Sequence, residues 1–149
     1  MNTAFAKALD MALGRLKSRE RFSGDMRSWL IARGQDEAVA DSVVEHLVKR
    51  GMLNDERAAR ALVKLREGKK AVGADKLRSE MLAKGANEDT VKSQLAELPD
   101  EAESAKDALR TKNSWTGRPQ AGRFLAGRGF SEEAIESARE WAVPDEVIL

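Results

Sequence analysis

Three short stretches of this chain say nearly the same thing: SWLIARGQDEA, SEMLAKGANED and RFLAGRGFSEE. They align on Gly34, Gly85 and Gly129, each preceded by a basic residue, Arg33, Lys84 or Arg128. Two positions after each glycine stands a residue of the kind that caps helix N-termini, Asp36, Asn87 or Ser131, followed at once by Glu37, Glu88 or Glu132. This order has a direct physical reading. Glycine tolerates the left-handed conformation on which helices commonly end, and the basic residue before it faces the negative end of that helix. The side-chain oxygen beyond it can accept from orphan N–H groups of the following helix. Each stretch is therefore expected to be a tight corner between two helices.

Apolar residues return at helical spacing after every corner: Val39, Val43, Val44 and Leu47; then Val91, Leu95 and Leu98; then Ile135, Ala138 and Trp141. A further helical segment precedes each corner, in AKALDMALGRLK, DERAARALVKLR and DEAESAKDALRTK, and no stretch alternates with the period of a strand. Breaks fall at Gly51, at Leu98-Pro99-Asp100, and in EGKKAVG and KNSWTGRP. Nine helices follow, and the fold class is all-α. A unit of about 45 residues has a marginal core by itself, so neighbours should stack. The expectation is an elongated, curved array of three tandem three-helix repeats over residues 1–53, 54–98 and 99–149, the last carrying a C-terminal tail. The middle core is expected to contain Leu77, Met81, Leu82, Val91 and Leu95.

The same residues exclude most chemistry. Among 149 residues there is no cysteine, which removes disulfides and thiolate metal sites and suits a reducing compartment. The amphipathic start lacks a signal-peptide core, and no run of about 20 apolar residues occurs, so a cytoplasmic protein without a membrane partner is expected. His46 is the single histidine, leaving a histidine-based triad or zinc site without a second member. No glycine-rich phosphate loop has the required spacing, and the carboxylates sit where helix starts want them. No catalytic, cofactor-binding or metal-binding residue is assigned; the chain does not read as an enzyme, and no small-molecule substrate is implied. The aromatics Phe22, Trp29, Trp115, Phe124, Phe130 and Trp141 read mainly as core, Trp115 least so.

Charge is more informative in its placement than in its sum. There are 26 basic and 25 acidic residues. The basic ones crowd the ends of the first helix and the second helix of each repeat, while the acids collect on the third. The middle block is the densest, with eight basic residues against Glu67 and Asp75 between positions 57 and 78. One basic cluster is usually a solvated surface, but three at equivalent places suit a repetitive anionic partner. The candidate partner-binding residues are Arg57, Arg60, Lys64, Lys69, Lys70, Lys76 and Arg78. On a helix, Arg57, Arg60 and Lys64 share a face, while Lys69 and Lys70 fall in a loop. Lying mostly off the apolar stripe, these residues are expected to cost little stability when neutralised.

The middle segment, GMLNDERAARALVKLREGKKAVGADKLRSEMLAKGANEDTV, resembles the central repeat of the RecX family, bacterial regulators of the recombinase RecA. The resemblance rests on Leu53, Asn54, Asp55, Glu56 and Arg57, and later on Glu80, Met81, Lys84 and Gly85. LKSRERFSGDMRSWLIARG is similar to the family's opening repeat and GRFLAGRGFSEEAIESAREW to its closing one, so the likeness spans about residues 5 to 142. Departures are Ala58 where the family usually has Phe, Gly73-Ala74 for a common Gly-Pro, and Asp25-Met26 for an acid-Leu pair. The resemblance implies three tandem helical repeats. It also implies a regulator that inhibits RecA by binding it and its filaments on single-stranded DNA, modulating recombination, DNA repair and the SOS coprotease. Direct contact with the single strand is left open. A helical module that binds nucleic acid without sequence preference stands as the alternative, its basic stripe holding backbone phosphates.

Overall fold

The computed structural model describes residues 3–110 and 117–143, apart from the side chain of Lys69. Among the described residues there are nine α-helices and no strand. In chain order they are α1 (Thr3–Leu16), α2 (Ser23–Ala32), α3 (Glu37–Lys49), α4 (Asp55–Leu65), α5 (Ala74–Ala83), α6 (Glu88–Ala96), α7 (Glu101–Leu109), α8 (Arg118–Gly127) and α9 (Glu132–Ala142). A short 3-10 helix, Gly68–Lys70, occupies part of EGKKAVG, where the sequence suggested only a loop. TKNSWT, residues 111–116 with Lys112 and Trp115, lies outside the described residues.

The three corners share one bonding pattern. Gly34, Gly85 and Gly129 have φ of +92°, +90° and +79°. At each, the glycine N–H donates three residues back and the next N–H five residues back. The pairs are Gly34 to Ile31 and Gln35 to Leu30, Gly85 to Leu82 and Ala86 to Met81, and Gly129 to Ala126 and Phe130 to Leu125. This is the Schellman closure, which satisfies helix-end carbonyls and needs the left-handed residue. Gly51 closes α3 in the same way. Beyond the corners, the Asn87 side chain accepts from Thr90 N at 2.7 Å and Ser131 Oγ accepts from Ala134 N at 3.2 Å. Asp36 departs from expectation: it precedes α3 in an extended conformation, but its side chain makes no capping bond.

The chain forms two compact units, Met1–Ala61 with Met81–Val91, and Leu62–Glu80 with Lys92–Leu149. In the first, Ala8 and Ala12 of α1, Met26 and Leu30 of α2, and Ala40, Val43 and Leu47 of α3 bury together with Leu53. In the second, Ala105, Ala108 and Leu109 of α7, Ala121 and Leu125 of α8, and Ala134 and Ala138 of α9 enclose Phe130 and Ala71. The four-residue steps put one stripe of each helix inward, and the many alanines let helices approach closely.

The expected middle core is corrected in part. Leu77, Met81 and Val91 are buried, but Leu82 and Leu95 are only half-buried. Leu77 and Met81, four apart, define the inward stripe of α5, and Leu82 sits one step off it. Beside Leu95, Gln94 takes the inward position. The aromatics are also divided. Phe22 and Phe130 are buried, Trp29 and Phe124 are half-buried, and Trp141 is 47% exposed, so the core reading fails for Trp141.

Each unit contains the same kind of joint. In the first, the start of α2 meets the α5–α6 corner so closely that a Cβ on Gly24 would lie 2.6 Å from the Gly85 carbonyl oxygen. Alongside, the Asp55 carboxylate accepts from Ser23 N at 2.7 Å and Ser23 Oγ at 2.8 Å, capping α2 from the first residue of α4. In the second, a Cβ on Gly73 would lie 1.9 Å from the Gly129 carbonyl oxygen. There Glu101, first residue of α7, accepts from Ala74 N at 3.3 Å and from Ser131 N at 3.1 Å. Ala74 stands where a proline resembling the family's would have no N–H to give. Gly34, by contrast, has nothing within 4 Å of its missing side chain.

Candidate functional site

Arg57 and Arg60 lie on the part of α4 that belongs to the first unit. Arg57 is committed internally: its Nε donates to Glu20 Oε1 at 2.6 Å, and one Nη donates to the carbonyls of Gly51 and Met52 at 3.0 and 3.3 Å. It therefore ties the α3–α4 turn to the α1–α2 loop, a role the helical spacing of the cations does not reveal. Arg60 is exposed and meets Glu56 one turn earlier at 3.7 Å, a surface contact that leaves it accessible.

Lys64, Lys70, Lys76 and Arg78 lie in the second unit, all exposed. Lys69 ends up in the 3-10 helix, but its side chain lies outside the described residues. Of these residues the structure gathers Lys70 and Lys76 around one cleft of about 590 Å³, whose wall also carries Arg66, Ser79, Glu80 and Arg128. Lys64 and Arg78 do not line it.

The cleft is built by the second joint. Gly73 N donates to the Arg128 carbonyl at 2.7 Å, which draws the α8–α9 corner onto the start of α5. Arg128 Nη1 then donates to the Ala71 carbonyl at 3.1 Å, with its guanidinium 4.6 Å from the Phe124 ring centroid. Arg66 crosses to α5, its Nε and Nη2 each 3.0 Å from a different Glu80 oxygen. Lys76 Nζ has only a long bond to the Gly127 carbonyl, at 3.4 Å. Four cations thus face one carboxylate, and that carboxylate is fully taken by Arg66. The block between positions 57 and 78 signals Lys70 and Lys76; Arg128 is far away in sequence, and only the glycine-to-glycine approach reveals it.

A second basic cluster sits in the first unit. Arg15 and Arg33 hold their guanidinium groups 4.8 and 4.7 Å from the Trp29 ring centroid, and Arg15 pairs with Asp25 at 2.7 Å. Burial first, then the charges of Arg15 and Arg19, lower the proton affinity of the Arg21 guanidinium. His46 packs edge-on against Phe5 with ring centroids 5.6 Å apart. Among the described residues no group of three or more metal-ligating side chains converges, and no helix is long and apolar enough to cross a membrane.

No protein-family model matches the chain. Individual relatives do. A regulatory protein RecX from Thermus thermophilus is 35% identical over 125 residues, 84% of each chain. One from Xanthomonas axonopodis pv. citri is 30% identical over 141 residues, covering 90% of this chain and 86% of the relative. The chain belongs to the RecX family. The match to the RecX of Serratia proteamaculans, 31% identical, spans 64% of that protein's length. The helical fold is likewise that of the crystal structure of RecX from Lactobacillus salivarius, with a TM-score of 0.78 at 17% identity, over 93% of this chain and 96% of the other. The relatives are named as regulatory proteins.

Proposed function

We propose that this chain is an inhibitory regulator of RecA, binding RecA and its filament on single-stranded DNA and damping recombination and SOS coprotease activity in the cytoplasm. The observation that carries the reading is membership of the RecX family along most of the chain. The exposed cations Arg60, Lys64, Lys70, Lys76 and Arg78 support it. They offer an anionic assembly several contacts on one chain, and linked weak contacts raise avidity steeply. Three helical repeats over residues 1–53, 54–98 and 99–149 would provide that multiplicity, and the two similar joints, Gly24 with Gly85 and Gly73 with Gly129, favour such a repeat. Arg57 contributes by positioning, through its bonds to Glu20, Gly51 and Met52.

The test is a side-by-side titration of labelled naked single strand and labelled RecA filament at several salt concentrations. Tighter binding to the filament, with loss of strand exchange at the same protein concentration, is the expected result. Equal affinity for naked and coated strand, with strand exchange unaffected, would return the chain to the class of plain nucleic-acid binders.

A further inference from the structure

We propose that a cavity beside the 3-10 helix Gly68–Lys70 binds a small primary amine with an aliphatic body. The cavity lies wholly within the second compact unit and has a volume of about 490 Å³, inside the range of roughly 300–1,000 Å³ that small-molecule sites occupy. Its walls come from α4, α5, α6, α7 and the turns between them, so no local sequence pattern marks it. Protein interiors are packed with few voids larger than a water molecule. Here, however, Val63, Val72, Leu95 and Leu98 line open space and are only half-buried. Leu95, four residues after the buried Val91, borders this space instead of closing the core. An aliphatic chain laid against these side chains would remove their apolar surface from water, which is favourable.

The polar part of the wall fixes the sign of the ligand. It carries Arg66, Glu67, Glu101, Ser104 and Asp107. Arg66 is closed on Glu80, so its charge is already matched. Glu101 Oε1 accepts from Ala74 N and Ser131 N. Glu67 is exposed and meets no cation among the described residues. Asp107 meets Arg110 within its own helix turn, with 40% of its side chain still exposed. Two carboxylates and the Ser104 hydroxyl thus border an apolar space. They repel a carboxylate or phosphate and suit an ammonium head, whose three donors can be shared among separate oxygens. Among the described residues the wall carries no aromatic ring, so it lacks the cage that holds a quaternary ammonium. That selects a primary amine.

The test is a calorimetric titration of the full chain with octylamine, which is protonated at pH 7 as a lysine is. RecA is absent, so the result is independent of the regulator reading. Octanoate, 1-octanol and octyltrimethylammonium serve as comparisons. Octylamine should bind at one site, and each methylene added from butylamine upward should tighten binding about fourfold. Octylamine should also bind more tightly than 1-octanol, by about 2- to 5-fold for each exposed carboxylate. Glu67→Gln with Asp107→Asn should remove that advantage and leave 1-octanol binding unchanged, while the charge-matched control, Glu45→Gln with Glu133→Gln, should keep it. The single exposed change Glu67→Gln, checked by circular dichroism, keeps the test valid if the double variant is unstable; it should lose about 2- to 5-fold. No binding of octylamine would overturn the assignment, as would octanoate or octyltrimethylammonium binding as tightly, or equal losses in the control pair. Binding of acetyl-Leu-Lys-Leu-amide without binding of octylamine would give the cavity to a protein side chain and defeat the proposal.

Discussion

Replacing Gly34 and Gly85 by alanine, one at a time, separates two demands that the corners make on glycine. Their backbones are nearly the same, with φ of +92° and +90°, so the left-handed penalty of about 1–2 kcal/mol applies equally to both. Their surroundings are not the same. At Gly34 an added methyl meets nothing within 4 Å, whereas at Gly85 it would lie 2.7 Å from Gly24 Cα and 2.8 Å from Asp25 N. Those are backbone atoms, which cannot rotate aside, and forcing them apart adds the cost of overpacking, about 1–3 kcal/mol. Gly34→Ala should therefore lose about 1–2 kcal/mol and Gly85→Ala about 2–5 kcal/mol. Both positions lie in the same compact unit, so urea melts followed by circular dichroism compare like with like. Because Gly24 faces the same contact, Gly24→Ala combined with Gly85→Ala should cost measurably less than the two losses added together. Equal destabilisation by Gly34→Ala and Gly85→Ala, or strict additivity of the second pair, would refute the joint.

Arg57→Gln should lower stability by about 1 kcal/mol, since it breaks a partly exposed pair and two carbonyl bonds, while Lys64→Gln should change it by less than about 0.5 kcal/mol; denaturant midpoints decide between this and the even, small effects expected from a purely surface block. Met81→Ala, at a fully buried site, should cost about 2–5 kcal/mol, and half-buried Leu82→Ala clearly less; the reverse order in melts would mean that the inward stripe of α5 is misassigned. Glu101→Ala leaves the N–H groups of Ala74 and Ser131 without their shared acceptor and should cost about 1–3 kcal/mol, with faster amide exchange at both positions as its local signature.

The corners were legible in the sequence because a helix end is a local problem, solved by a glycine, a basic residue and a cap within a few positions. Helix number and order followed from them and from the apolar period. The joints were not legible, since nothing local marks Gly24 and Gly73 as places where another backbone must approach. The same limit applies to the functional residues. Charge density pointed to Lys70 and Lys76, but it could not separate Arg57, held by Glu20 and two carbonyls, from its neighbours. Nor could it bring in Arg128, which reaches the cleft through the contact of Gly73 with the Gly129 corner. Leu82 and Leu95 were over-read as core because a helical period marks a face without fixing its rotation to within one residue.

The regulator reading is most directly tested by the rate of ATP hydrolysis by RecA on single-stranded DNA, followed before and after this protein is added to preformed filaments. A decline in rate at protein levels well below that of RecA, reversed by raising the salt concentration, is the result the account predicts. An unchanged rate at protein levels equal to that of RecA, with circular dichroism confirming the helical fold, would contradict it.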